Sequence, residues 1–112
     1  MDLNKVSNVK ILNHKYVFNN LNNYKDTYFI TEGKYEFINI PKAHPMAILD
    51  KRIIYKGDID KKMIKKVDNV LHEFYYGNIQ MEIKNNVDKI SVYCFYHGYM
   101  GGKNILKNKI KF

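Results

Sequence analysis

Asn78-Ile79-Gln80-Met81-Glu82-Ile83-Lys84 alternates polar and apolar side chains without a break. Successive side chains of an extended chain point to opposite faces, so the run predicts a half-buried β-strand over 78–84. Just before it, Gly77-Asn78 follows the aromatic run Phe74-Tyr75-Tyr76 and reads as a hairpin turn into that strand. Downstream, Ile90, Val92 and Cys94 alternate with Ser91, Tyr93 and Phe95, which predicts a second strand with Cys94 on the same face as two aliphatics. Upstream, 34–40 is rich in aromatic and β-branched residues and is bounded by Gly33 and Pro41, a third strand. Shorter candidates lie at 15–18, 47–49 and 52–56.

The segment 58–74 admits two readings. Ile59, Met63, Val67, Val70, Leu71 and Phe74 recur at roughly helical spacing, and Asp58 is a good cap. Asp68-Asn69 is turn-like, however, and 70–76 also reads as a strand. The β character of the rest of the chain favours two strands around Asp68-Asn69, with one short helix around 59–70 as the alternative. Asn19, Asn20, Asn22 and Asn23, and again Asn85 and Asn86, read as loops. Short strands punctuated at this spacing predict an all-β sandwich or barrel.

The chain has 112 residues, the length of a single domain spanning 1–112. Its one cysteine excludes an intrachain disulfide. The net charge of +8 comes from 18 Lys and a single Arg, Arg52, beside 14 Asn, 14 Ile and 10 Tyr. These are the residues that an AT-rich genome enriches. Arg, the side chain suited to bidentate phosphate and guanine contacts, is nearly absent, so nucleic acid is not the expected partner. No apolar run approaches the length of a membrane span. Residues 1–15 carry no signal-type apolar core, so the expected location is the compartment of synthesis.

The chemistry concentrates in Tyr93-Cys94-Phe95-Tyr96-His97-Gly98-Tyr99-Met100-Gly101-Gly102. Cys, His and Met stand at i, i+3 and i+6 just past a strand end. With four His and five Met in the chain, this pattern follows a given Cys by chance about one time in six hundred. A thiolate, an imidazole and a thioether are soft to borderline ligands and suit copper. A blue-copper site needs a second imidazole. His44, in the stiff loop Pro41-Lys42-Ala43-His44-Pro45, is the best candidate, and Pro45 biases it to an extended backbone. Gly98, Gly101 and Gly102 allow the later loop to turn back and return Met100 to the ion. His14 and His72 have no such pattern and read as surface or strand residues. A Cys94–His97 nucleophile–base pair is a weaker reading: no Asn or Asp is placed to orient the His, and Met100 has no role in it.

At this point the residues resemble the cupredoxin family, with one His from an upstream loop and Cys-x-x-His-x-x-Met before the last strand. The short spacing is like that of amicyanins. Gly33-Lys34-Tyr35-Glu36-Phe37-Ile38-Asn39-Ile40-Pro41-Lys42-Ala43-His44-Pro45-Met46-Ala47-Ile48-Leu49 resembles a stretch of small cupredoxin-like domains found in aquatic microbes and large DNA viruses. So do Phe74-Tyr75-Tyr76-Gly77 and the Cys94 segment. The likeness covers roughly 15–107.

The resemblance implies an antiparallel Greek-key β-sandwich and one type 1 copper site. His44 and His97 would be its imidazole ligands, Cys94 its thiolate and Met100 its axial thioether. It implies electron transfer to a protein redox partner, not catalysis, with Tyr96 and Tyr99 as a docking collar around His97. Two departures stand out. Many electron-transfer members have Asn after the upstream His, tying the ligand loops together, where this chain has Pro45. They also usually carry an export signal. A second implied role is therefore a cupredoxin-fold structural or interaction protein, such as a minor component of a large DNA virus particle among neighbouring structural proteins, with copper absent or only structural. The location would then be intracellular or the virion. Copper storage or transfer is a third, weaker possibility.

Overall fold

The structure, a computed structural model, describes residues 2–19 and 27–109. Asn20, Asn22 and Asn23 lie outside the described residues. The strands in chain order are β1 (Val6–Leu12), β2 (Lys15–Phe18), β3 (Tyr28–Ile30), β4 (Gly33–Ile40), β5 (Met46–Ile48), β6 (Ile54–Gly57), β7 (Lys62–Val67), β8 (Val70–Tyr75), β9 (Gly77–Ile83), β10 (Lys89–Ile90), β11 (Val92–Cys94) and β12 (Leu106–Asn108). One sheet has the order β2-β1-β4-β9-β6, a second β11-β5-β8-β7, and a small third β10-β12-β3. The fold is the expected all-β sandwich. Pairing is mostly antiparallel, but β1 runs parallel to β4 and β3 parallel to β12.

The alternation read in the sequence is the alternation of burial. Ile79, Met81 and Ile83 of β9 are buried while Asn78 and Gln80 are exposed. Tyr35 and Phe37 of β4 join them, as do Ile48 of β5 and Val92 of β11, in one contiguous apolar cluster. Each such side chain withdrawn from water is worth roughly 1.5–3 kcal/mol before the entropy of ordering is counted. In β4 the register shifts between Phe37 and Ile40, with Asn39 at φ +59°. This bulge lets Phe37 and Ile40, three residues apart, both face inward. It also sets the direction in which the chain leaves the sheet toward Pro41.

The segment 58–74 resolves into strands. A single 3-10 turn at Ile59–Lys61, capped by the Asp58 side chain, is all that remains of the helical alternative. β7 and β8 then pair around Asp68-Asn69, both at positive φ, as in a type I′ hairpin turn. Asn13-His14 makes the same kind of turn between β1 and β2.

The hairpin expected at Gly77 is not there. β8 pairs with β5 and β7 in one sheet, whereas β9 pairs with β4 and β6 in another. Gly77, at φ +83°, is therefore a crossing between sheets. Alternation reports which face a side chain takes, and both a hairpin and a crossing preserve it. Three strands had no forecast. β1 buries Ser7 and leaves Val6 and Leu12 exposed, inverting the usual pattern. Ser7 tolerates this because its hydroxyl donates to the Asn4 carbonyl at 2.9 Å. β3 and β12 are three residues each and find each other in parallel across the chain. Among the described residues, no helix is long and apolar enough to cross a membrane.

Candidate metal centre

Strand register brings the site together. β5 and β11 pair antiparallel with Cys94 opposite Met46. One step further, the Phe95 N–H donates to the Pro45 carbonyl at 2.9 Å. The loop ending in His44-Pro45 and the loop beginning at Cys94 thus start side by side. The first loop is closed by the His44 N–H donating to the Pro41 carbonyl at 2.9 Å. The second folds back at once: the Cys94 N–H donates to Gly98 O at 2.7 Å and the Gly98 N–H to Cys94 O at 3.0 Å. This tight return needs Gly98 at φ +74°, and Gly101 and Gly102 continue it at φ +102° and +92°, as their spacing predicts.

The result is a cluster of three donor groups. Cys94 Sγ lies 3.7 Å from His44 Nδ1 and 3.5 Å from His97 Nδ1. The ligand atoms of all three lie within 4.8 Å of one another. The two imidazole rings stand 4.9 Å apart, tilted by 33°. Bonds of about 2.0–2.3 Å from one ion to an imidazole nitrogen and a thiolate, opened at about 110–120°, put those atoms about 3.5–3.8 Å apart. The two sulfur–nitrogen separations fall in that range, and all three donor atoms lie close enough for the group to hold a metal ion.

Cys94 is 0% exposed, His44 half-buried and His97 exposed. The sulfur is dry, and one imidazole edge reaches solvent. Burial first, and then the charge of His97, hold the His44 imidazole below its ordinary value. Near neutral pH it therefore offers a lone pair, as a ligand must. Met100 is buried in the same apolar cluster as Cys94. His14 sits exposed in its hairpin turn and His72 on β8, and neither joins the group.

Around the cluster lies an aromatic surround. Tyr96 is 57% exposed and packs edge-on against Phe95, with ring centroids 4.9 Å apart. Tyr99 is half-buried against Tyr93 at 4.8 Å. The two tyrosines taken together as a collar therefore differ: Tyr96 is presented to solvent and Tyr99 is largely engaged with its neighbour. Lys65 of β7 donates to the Phe95 carbonyl at 2.6 Å, fastening the β7–β8 hairpin to the Cys94 loop.

One residue of the surround had no signal in the sequence. Tyr16 of β2 is 3% exposed, and its hydroxyl donates to the His44 carbonyl at 2.9 Å. Its own N–H donates to the Met100 carbonyl at 3.4 Å. Burial first, and then the nearby Cys94 sulfur, push the Tyr16 hydroxyl well above the usual phenol range, so it stays neutral. A tyrosine in a four-residue strand, bonding a backbone carbonyl 28 residues away, leaves no local pattern to read.

No protein-family model, no curated protein and no solved structure matches this chain.

Proposed function

We propose that the protein is a cupredoxin-like type 1 copper protein that carries single electrons. His44, Cys94 and His97 would hold the ion, with the Met100 thioether as a weaker donor. The observation that carries this reading is the placement of two imidazole nitrogens at 3.5 and 3.7 Å from one buried cysteine sulfur. A thiolate with two imidazoles and a nearby thioether is a donor set that copper favours over harder cations. Copper bound there would supply a one-electron couple.

The protein's own contribution is rigidity, dryness and access. Backbone hydrogen bonds of the chain itself fix the Cys94–Gly98 return and join Phe95 to Pro45. A site so tied changes little between oxidation states. The apolar cluster around Cys94 keeps water from the sulfur. His97 is the exposed edge and serves as the electron's way out, with Tyr96 beside it as the surface a protein redox partner meets.

The test is colour. Metal-free protein titrated with Cu(II) should develop an intense visible thiolate-to-copper band that saturates at one copper per chain and is absent in Cys94→Ser. A wild-type protein that stays colourless at saturating Cu(II) overturns the proposal.

A further inference from the structure

Beyond its two prolines and the His44 N–H bond to Pro41, loop 41–45 has little of its own to fix His44. Pro41, Ala43 and Pro45 bring no side-chain donor, and Lys42 lies over the Tyr76 ring at 5.7 Å. A further tie comes from a strand remote in sequence. Tyr16 stands on edge strand β2, yet its hydroxyl reaches the His44 carbonyl at 2.9 Å, with the Pro45 carbonyl 3.5 Å away. The same residue's N–H bonds the carbonyl of Met100 at 3.4 Å. One buried side chain and its own backbone thus hold the upstream ligand loop and the far end of the downstream one.

We infer that Tyr16 is a positioning residue for the metal centre: it locks His44 and Met100 in one frame, so that the donor set is assembled before an ion arrives. Its effect on metal binding rests on the copper reading, but the tie itself is made by the chain's own atoms. A preformed donor set raises affinity because less ordering is left for the binding step. Groups just behind metal ligands typically govern affinity by about 10- to 100-fold.

Tyr16→Phe removes the hydroxyl and keeps the ring. Tyr35→Phe is the control: Tyr35 is comparably buried, and its hydroxyl accepts from the Thr31 N–H at 2.9 Å on β4, away from the ligand loops. Amide hydrogen exchange in metal-free protein reads the tie directly. The His44 N–H and the Phe95 N–H, bonded to Pro41 and Pro45, should exchange about five- to tenfold faster in Tyr16→Phe and at wild-type rates in Tyr35→Phe. Cu(II) affinity, measured by competition with a chelator, should fall about 10- to 100-fold in Tyr16→Phe only, with an altered thiolate-to-copper band. Wild-type exchange rates at both amides in Tyr16→Phe overturn the inference. So does faster exchange with unchanged copper affinity and spectrum. If wild-type protein takes up no Cu(II), the copper reading falls, and the exchange rates alone decide whether Tyr16 ties the loops.

Discussion

Phe95 and Pro45 are joined by a backbone hydrogen bond of 2.9 Å, one residue beyond the β5–β11 pairing. This bond explains why two ligand loops far apart in sequence open at the same point. Antiparallel register is rigid: a slip of one residue would turn Cys94 from the core to the opposite face. The placement of Cys94 beside His44 is thus set by the buried side chains of Ile48 and Val92 further along the same ladder.

His44 and His72 give opposite outcomes on substitution. His44→Ala removes a group 3.7 Å from the sulfur and should abolish the visible copper band. His72→Ala changes a β8 residue outside the cluster and should leave the band intact. Equal bleaching in the two variants, followed by absorption spectroscopy, would mean that the imidazole donor had been assigned to the wrong histidine.

Gly57 ends β6 opposite Ile79, where the chain leaves no room for a methyl group. A Cβ there would lie 2.5 Å from the Asn78 carbonyl oxygen and 2.6 Å from the Tyr75 ring. Gly57→Ala should destabilise the fold by about 2–3 kcal/mol, read as a lower urea midpoint with an unchanged slope.

Arg52 supplies an acid-sensitive share of stability. Its guanidinium donates to Asp50 at 2.8 and 3.0 Å and to the Asn86 carbonyl at 2.9 Å. Hydrogen bonding from Arg52 is the main reason why the Asp50 carboxyl lies below its ordinary value, burial opposing it. A carboxyl depressed by folding stabilises above its unfolded value, near pH 4, and loses that contribution as pH falls through the folded one. Arg52→Ala should therefore lower the thermal midpoint by a few degrees at pH 7 and by less at pH 3. A difference that grows on acidification, measured by calorimetry across that range, would contradict this assignment.

Tyr96 is the exposed aromatic next to His97, and its removal should alter encounter rather than the site itself. Tyr96→Ser in copper-loaded protein should leave the absorption spectrum and potential unchanged. Electron self-exchange should slow by about tenfold, the loss of one modest contact. Magnetic-resonance line broadening in mixtures of the two oxidation states measures this rate.

The sequence made legible whatever rests on local pattern. β9 follows from its unbroken alternation, and the side-by-side turn residues Asp68-Asn69 marked the β7–β8 hairpin correctly. The three-residue cluster was legible because Cys94 and His97 are near in sequence, while His44, in a proline-flanked loop, was singled out mostly by the resemblance of the 33–49 stretch. What was not legible depends on distant partners. β1 escaped because Ser7 takes a core position that its hydroxyl bond to Asn4 permits. The sheet crossing at Gly77 escaped because a crossing and a hairpin share one face pattern. Tyr16 escaped because its partner is a main-chain oxygen, and every residue type carries one.

The spacing of the donors along the chain has a thermodynamic consequence. His44 and Cys94 are 50 residues apart. An ion bonded to both ties off nearly half of the polypeptide, as a covalent bridge would, and denies the unfolded chain many of its conformations. For a permanent link closing a loop of that length, chain statistics give about 4 kcal/mol. In a protein whose lone cysteine has no sulfur partner, the ion would do the work of a disulfide that can be removed by a chelator.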